Sequence, residues 1–180
     1  MIIGANEYAV VIPIVNKKYF LFEVRSKKLN TQPGEVAFPG GKLEENESPK
    51  DCAIRETIEE IGTVPKIIKD LPMVVTPFNI VIYPFLGTIN SKIMRNKSEV
   101  DAIFLAPIKL FEKPLYEYYI DVKVYPPTSF PFHLIPNEKN YNWRQGKYRI
   151  LFFKHKEYII WGITALIAHE AYKILKEESI

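Results

Sequence analysis

The sequence predicts an α/β sandwich built on a mixed β-sheet. The observation that predicts it is the order of the elements, which is strands, helix, strands, helix. The length of 180 residues is that of one domain. With 47% hydrophobic and 25% charged residues, the composition is that of a folded protein and excludes a disordered chain. We therefore expect residues 1–180 to form a single domain.

The first elements are two strands. Residues 8–15 and 18–25 are rich in Val, Ile, Tyr and Phe, and Asn16-Lys17 separates them. This pattern predicts a hairpin with a tight turn. A loop follows, and a short apolar run at 36–38 leads into Pro39-Gly40-Gly41.

The strongest helix signal lies at 49–61. Ser48 is a favourable N-cap, Pro49 suits the first helical position, and Asp51 places a carboxylate in the first turn. Gly62 is the expected C-terminal stop. These signals predict a helix from Pro49 to Ile61.

The rest of the chain predicts more strands, a long loop and a terminal helix. Prolines punctuate the strand-rich stretches, which are 73–88, 99–105, 115–124 and 147–161. Residues 126–143 contain several prolines and predict a long loop, a feature that is usually functional or mobile. Apolar residues at helical spacing predict an amphipathic helix over 164–178.

Composition also excludes several classes of protein. The net charge of +3 is close to balance, which gives no indication of a nucleic-acid partner or a membrane surface. A single cysteine, Cys52, excludes a disulfide framework and a cysteine-rich zinc module. We find neither a secretory leader nor an apolar stretch long enough to span a membrane, so we expect a cytoplasmic protein.

The helix at 49–61 carries a cluster of glutamates. On a helical wheel one sector is expected to face the core and the opposite sector to carry the charges; the first holds Ile54, Thr57, Ile58 and Ile61, and the second holds Cys52, Glu56, Glu59 and Glu60. The glutamates are spaced i, i+3, i+4, so we expect three carboxylates to converge on one turn. Glu47, just before the cap, can fold back toward them.

Two interpretations of this cluster remain open from spacing alone. Acidic runs are most often a solvated helix face. If the carboxylates are sheltered, each pair at about 4 Å repels by up to about 4 kcal/mol at an effective dielectric of 20, so a cation is needed. Oxygen clusters suit Mg²⁺ or Mn²⁺, which bind carboxylates and substrate phosphates together.

Residues 41–62, GKLEENESPKDCAIRETIEEIG, favour the second interpretation. This segment resembles the signature of the Nudix hydrolases, and we call it the signature segment. Every fixed position of the signature is filled at the correct spacing, by Gly41, Glu47, Arg55, Glu56, Glu59, Glu60 and Gly62. Thr57 and Thr63 depart from the family, which usually has bulky aliphatic residues there.

The resemblance implies a Nudix-type α/β/α sandwich with a mixed β-sheet. By analogy, divalent metal ions are held by Glu56, Glu59 and Glu60, with the Gly41 carbonyl as a further ligand. Arg55 orients the carboxylates, and Glu47 supports the outer shell of the site. The implied reaction is hydrolysis of a nucleoside diphosphate linked to another group.

The general base is an open choice at this point. It differs among Nudix subfamilies. Glu56 inside the signature segment is one alternative. A glutamate from a distant loop is the other, with Glu99 and Glu138 as the candidates.

A second resemblance lies upstream, in residues 25–41, RSKKLNTQPGEVAFPGG. This segment is similar to the one that marks coenzyme A pyrophosphatases, with matches at Ser26, Gly34, Phe38, Pro39, Gly40 and Gly41. The resemblance implies substrate binding by this region, where Phe38 and Gly40 belong to the motif and Arg25, Lys27 and Lys28 can supply cations for the 3′-phosphate of coenzyme A. Asn30 stands where a basic residue is usual, and Glu23 where a Thr is usual.

Several functions therefore compete. The leading one is Mg²⁺- or Mn²⁺-dependent hydrolysis of coenzyme A or acyl-CoA to 3′,5′-ADP and (acyl-)4′-phosphopantetheine. Another is hydrolysis of ADP-ribose or a similar nucleoside diphosphate derivative, and a third is a non-catalytic module that binds a nucleotide. An isomerase would need a catalytic cysteine, and Cys52 is badly placed for that. By analogy with the family we expect a homodimer.

Overall fold

The computed structural model describes residues 3–90 and 92–178. Its strands are β1 (Asn6–Val15), β2 (Tyr19–Arg25), β3 (Val36–Ala37), β4 (Gly40–Lys42), β5 (Lys66–Asp70), β6 (Val74–Val75), β7 (Ile80–Thr88), β8 (Val100–Pro107), β9 (Tyr116–Val122), β10 (Gly146–His155) and β11 (Tyr158–Trp161). Its α-helices are α1 (Pro49–Ile61) and α2 (Gly162–Glu178).

The larger sheet has eight strands and is mixed, as predicted. Its main path runs β3-β2-β1-β7-β5, while β4 pairs with β1, β6 with β7 and β8 with β2. Strands β1 and β7 are parallel over nine paired positions, and the other pairs in this sheet are antiparallel. A parallel pair needs a crossover connection, and the chain between β1 and β7 supplies it with α1.

Alternate residues of β1 face two different layers, because successive side chains of a strand point to opposite faces. Ala9 and Val11 pack in a buried cluster with Cys52 and Ala53 of α1. Ile12 lies in the main core, which also contains Ala168 and other residues of α2. The sheet is therefore covered by α1 on one face and packs toward α2 on the other.

The last third of the chain forms a second, three-stranded sheet in the order β11-β10-β9. Strand pattern alone predicted one mixed sheet. The last three strands form a sheet of their own because β10 pairs antiparallel with both β9 and β11. Helix α2 packs against β10 and β11. The large sheet is thereby left with the residues that precede 108.

Local signals were accurate where a turn or a cap fixes the backbone. The hairpin turn lies at Asn16 and Lys17, whose φ values of 51° and 56° fit a type I′ turn. The Oγ of Ser48 accepts a hydrogen bond from the backbone N–H of Asp51 at 3.2 Å. Gly62 ends α1 in the left-handed region, with φ of 68°. The predicted helix bounds of 49 and 61 are confirmed.

Two features differ from the prediction or refine it. Strand β5 was not predicted, because its five residues follow closely on Pro65 and their apolar content is small. The loop at 126–143 is confirmed and contains two short 3₁₀ turns, Phe132–Leu134 and Glu138–Asn140.

No helix in the described ranges combines the length and the apolar character that crossing a bilayer requires.

Candidate active site

The site forms where β1 and β2 move apart. These strands pair at Ile14–Phe20 and Val15–Tyr19, next to their turn. Further along, residues 36–42 lie between them: β3 pairs with β2, and β4 pairs with β1. Helix α1 packs across β1 and β4. The crossing from β2 to β1 therefore brings Gly40 and Gly41 directly against the charged side of α1.

Two glycines allow this close approach. The N–H of Gly40 donates to Oε2 of Glu60 at 2.8 Å. A Cβ at Gly40 would lie 2.2 Å from the carbonyl oxygen of Ala9, and a Cβ at Gly41 would lie 2.3 Å from the carboxyl carbon of Glu56. At Gly40 the clash is with backbone, so the site's geometry requires glycine there. At Gly41 the clash is with the end of the Glu56 side chain, so a Cβ there would push that carboxylate aside.

Arg55 joins the carboxylates of the signature segment. Its Nε and Nη2 donate to the two oxygens of Glu47 at 2.8 and 3.0 Å, a bidentate pair. Its Nη1 donates to Glu56 at 2.8 Å and reaches Glu59 at 3.4 Å. The hydrogen bond from Arg55 lowers the pKa of Glu47 to about 2, and the same bond raises the pKa of Arg55.

The predicted faces of α1 are partly wrong. Cys52 and Glu60, expected on the charged side, are buried, while Ile58, expected in the core, is 41% exposed. The helix turns its Ala53 and Thr57 side to the sheet, as both are fully buried. This rotation directs Glu60 inward to Gly40. Cys52 packs in the core instead, and burial raises the pKa of its thiol to about 12.

Glu23 belongs to the same site, and the sequence reasoning did not include it among the functional residues. It lies on β2 two positions after Leu21, so both point to the face that α1 covers. Glu23 is 1% exposed, and neither carboxylate oxygen has a hydrogen-bond donor within the described ranges. The group that faces it is the carboxyl of Glu60, and burial raises the pKa of both.

Glu99 also lies beside these carboxylates, and we call Glu23, Glu56, Glu59, Glu60 and Glu99 the carboxylate cluster. Its backbone carbonyl accepts from Ser26, and the negative charge of Glu99 contributes to the raised pKa values of Glu23 and Glu56. Asn96, in the same loop, donates its N–H to the carbonyl of Glu60 at 2.8 Å. The loop before β8 thus connects the end of α1 to the end of β2.

The expected convergence of three carboxylates on one turn is not observed. Among the side chains of residues 3–90 and 92–178, no three His, Cys, Asp or Glu groups stand close enough to hold a metal ion. The reason is local: Glu60 turns inward to Gly40, whereas Glu56 and Glu59 are drawn to Arg55. The ligand atoms still suit a hard cation by chemistry, because they are carboxylate oxygens and, among the residues that the structure describes, no donor reaches either oxygen of buried Glu23.

The predicted substrate-binding cations occupy the loop after β2. Lys27 and Lys28 are exposed, and Arg25 is half-buried. Arg25 reaches the carbonyl oxygen of Thr31 through Nε and Nη2, both at 3.4 Å. Its positive charge also acts on Glu23 and Glu60, opposing the rise in their pKa values. Arg25 therefore lies between the loop and the carboxylates.

Phe38 is a core residue, which corrects its predicted contact with substrate. It is 3% exposed, stacks on Phe22 with ring centroids 4.6 Å apart, and meets Phe20 edge-on at 6.2 Å. The ring has no free face for a ligand. Its contribution is to anchor the segment that carries Gly40 and Gly41 between β1 and β2.

Glu138 lies apart from the other glutamates. It is exposed in a 3₁₀ turn that packs against the preceding 3₁₀ turn, 132–134. Within the described part of the chain its side chain forms neither a hydrogen bond nor an ion pair. Of the two distant candidates for a general base, the structure brings Glu99 to the cluster and does not bring Glu138.

Comparison with known proteins identifies the family. A model of the NUDIX domain matches residues 5–126. The peroxisomal coenzyme A diphosphatase NUDT7 of Mus musculus is 32% identical over 121 residues, covering 62% of this chain and 51% of that protein. Nudix hydrolase 15, mitochondrial, of Arabidopsis thaliana is 31% identical over 166 residues, covering 85% of this chain and 51% of that protein. This chain spans about half the length of these two relatives.

Solved structures share the fold. A MutT/nudix family protein from Enterococcus faecalis aligns with 98% of this chain and 64% of its own, with a TM-score of 0.62 at 15% identity. A NUDIX hydrolase from Nitrosomonas europaea covers 59% of both chains, with a TM-score of 0.50 at 20% identity. These likenesses confirm the predicted α/β fold. The family model covers well over half of the chain and includes the whole signature segment, so the chain belongs to the Nudix hydrolase family.

Proposed function

We propose that this chain hydrolyses the pyrophosphate bond of coenzyme A or acyl-CoA to 3′,5′-ADP and (acyl-)4′-phosphopantetheine. The observation that carries the proposal is the juxtaposition of the carboxylate cluster with Arg25, which begins the upstream segment 25–41. The name of the mouse relative, a coenzyme A diphosphatase, supports the same substrate.

The cofactor we propose is Mg²⁺ or Mn²⁺, since members of this family generally use divalent metal ions. Glu56, Glu59 and Glu60 would hold it, with the Gly41 carbonyl as a further ligand and Glu47 in support. When bound, such an ion lowers the pKa of water and neutralises charge on the phosphates. The Cys52 thiol lies 3.6 Å from the Gly41 carbonyl oxygen, which is a weak contact. A metal ion bound to that oxygen would replace this contact.

The chain's own residues then have distinct roles. Arg55 fixes Glu56 through its bond at 2.8 Å, and its bidentate pair with Glu47 fixes Arg55 in turn. The oxygen of a water molecule bonds to one phosphorus as the bridging P–O bond to the other phosphate breaks, and the water's proton passes to a base. Glu56 and Glu99 are the bases that the geometry favours over Glu138, because both belong to the cluster.

Recognition of coenzyme A is assigned to the loop after β2. The 3′-phosphate of coenzyme A needs cations beyond those that bind the pyrophosphate, and the candidates are Arg25, Lys27 and Lys28. Asn30, exposed in this loop, replaces the usual basic residue. That replacement favours a second candidate function, hydrolysis of ADP-ribose or another nucleoside diphosphate derivative without a 3′-phosphate.

Product analysis separates these functions. Coenzyme A, dephospho-coenzyme A, ADP-ribose and diadenosine polyphosphates are offered in parallel, first with Mg²⁺ and then with Mn²⁺. We expect coenzyme A to give 3′,5′-ADP with the highest kcat/KM. A higher kcat/KM for ADP-ribose would replace the leading function by the second. Binding of these compounds without turnover would instead indicate a nucleotide-binding module.

Arg25→Ala tests 3′-phosphate recognition directly. We expect a larger rise in KM for coenzyme A than for dephospho-coenzyme A, because only coenzyme A carries the 3′-phosphate. Lys66→Ala, at an exposed position in β5, is the matched loss of a cation. Equal changes in KM for both substrates would remove Arg25 from the 3′-phosphate.

Two further expectations stay predictions. One is the homodimer, which sedimentation of the purified chain would test. The other is the cytoplasmic location, which the names of the relatives do not favour, as they include peroxisomal and mitochondrial proteins.

A further inference from the structure

Glu23 is a buried carboxylate that the proposed mechanism does not use. It lies on β2, opposite Ala37 of β3 and Ile103 of β8 in the sheet. The side chain is 1% exposed, and both of its oxygens lack a donor within the described ranges. Buried polar groups in proteins nearly always have a partner, so this position needs an explanation.

The surroundings of Glu23 make a structural explanation poor. The carboxyl of Glu60 faces it closely enough for the two to share a hydrogen bond when one of them is protonated, and the charges of Glu56 and Glu99 also act on it. Arg25 is the cation whose charge opposes theirs. A Thr or an aliphatic residue at position 23 would avoid the desolvation and the repulsion together. Packing alone therefore gives no reason for a glutamate here.

We propose that Glu23 is a further ligand of the divalent metal, acting from β2 opposite the ligands on α1. This inference rests on the proposed function, because it places Glu23 at the same metal site. The Gly40 N–H already occupies one oxygen of Glu60. Within the described ranges no N–H or hydroxyl donates to Glu23, whose carboxylate can share a hydrogen bond with the Glu60 carboxyl. Carboxylate oxygens that face one another from two elements are suitable ligands for Mg²⁺ or Mn²⁺.

Glu23 is also a departure from the pattern that the upstream segment resembles. In the coenzyme A pyrophosphatases a Thr is usual at this position, and a hydroxyl carries no charge. A ligand from β2 adds negative charge from the side of the sheet, and it links the metal to the strand that ends in Arg25. We expect this chain to bind the divalent metal ion more tightly than it would with Thr at position 23.

The test is a titration with Mn²⁺ in which the electron paramagnetic resonance signal of the free ion measures how much Mn²⁺ is unbound. We expect Glu23→Gln to raise the Kd of Mn²⁺ about tenfold or more, and Glu177→Gln, an exposed glutamate on α2, to leave it unchanged. Glu23→Thr is the second variant and should behave like Glu23→Gln. An unchanged Kd in whichever of the two is folded would overturn the inference.

The same titration distinguishes this inference from the proposed function. A wild-type chain that binds Mn²⁺ and hydrolyses coenzyme A, together with Glu23 variants of unchanged Kd, would remove Glu23 alone from the site. A wild-type chain that binds no Mn²⁺ would overturn the proposed function and this inference together. Thermal melts in EDTA establish that each variant is folded, and the rise in Tm on adding Mn²⁺ should be smaller for Glu23→Gln than for wild type.

Discussion

Glu117 and Glu23, one in each sheet of this protein, have opposite environments. Glu117, on β9 of the three-stranded sheet, is exposed and accepts hydrogen bonds from Arg149 at 2.8 Å and from the Tyr119 hydroxyl at 3.0 Å. These bonds lower its pKa. Glu23, on β2 of the eight-stranded sheet, is buried without a donor from residues 3–90 or 92–178 and faces Glu60, and burial raises its pKa.

The contrast indicates where the molecule carries function. An exposed ion pair is easily formed and contributes little stability. A buried carboxylate that faces another carboxylate opposes folding, so a chain keeps it only where something else depends on it. In this protein that region is the crossing of residues 36–42 between β1 and β2. The two regions should therefore respond differently to the same kinds of substitution.

The largest difference is expected for the loss of a single carboxylate charge in the cluster. Glu59→Gln should lower turnover by several orders of magnitude, because it removes a proposed metal ligand that is half-exposed and not needed for packing. Glu177→Gln removes the same charge from α2 and should leave turnover unchanged. The measurement is kcat under saturating Mg²⁺, and near wild-type activity in Glu59→Gln would contradict the metal assignment.

The next largest effect is expected on stability. Gly40→Ala should lower the free energy of unfolding by about 2–4 kcal/mol, because its Cβ would meet the Ala9 carbonyl and the backbone of Val10, and because the φ of 153° disfavours a side chain. Gly146→Ala, at the start of β10, places its Cβ in open space. That change should stay within about 0.5 kcal/mol.

Chemical denaturation measures both glycine variants in one experiment. Equal losses of stability at the two positions would show that the close approach at the crossing is not what requires Gly40. A loss confined to Gly40→Ala would confirm that the contrast between the two sheets extends to the backbone.

A smaller effect is expected for the two arginines. Arg55→Lys should lower kcat about 10–100-fold, because lysine cannot keep the bidentate bond to Glu47 while also holding Glu56. Arg149→Lys, in the ion pair with Glu117, should leave kcat unchanged. Steady-state kinetics on both variants makes the comparison, and equal losses of kcat would argue against a positioning role for Arg55.

The smallest effect is expected for Glu117→Gln. The pKa of Glu117 is lower in the folded protein, so its pairing stabilises the fold above the ordinary pKa of a glutamate, and this contribution is lost as the pH falls through the lowered value. We expect the Tm at neutral pH to fall by no more than about 2 °C, with the difference from wild type vanishing in acid. A larger difference in acid than at neutral pH would reverse the sign of this contribution.

Local sequence was a reliable guide wherever neighbouring residues fix the backbone. The bounds of α1, its Ser48 cap and Gly62 stop, and the turn at Asn16-Lys17 all follow from interactions within a few residues. The bidentate pair of Glu47 with Arg55 was likewise foreseeable, since the two lie within about two helical turns. The spacing of the signature segment was sufficient to indicate the family.

The sequence by itself thus determined the mixed α/β fold, the bounds of α1 and the residue types of the site. The tertiary structure alone decided how these residues are oriented. The rotation of α1 that buries Glu60 and exposes Ile58 depends on how the helix packs on β1 and β4, and the burial of Phe38 depends on where residues 36–42 cross the sheet. Glu23 could be placed on a strand face by alternation, but its meeting with Glu60 joins residues from two separate elements, and only the packing of α1 on the sheet brings them together.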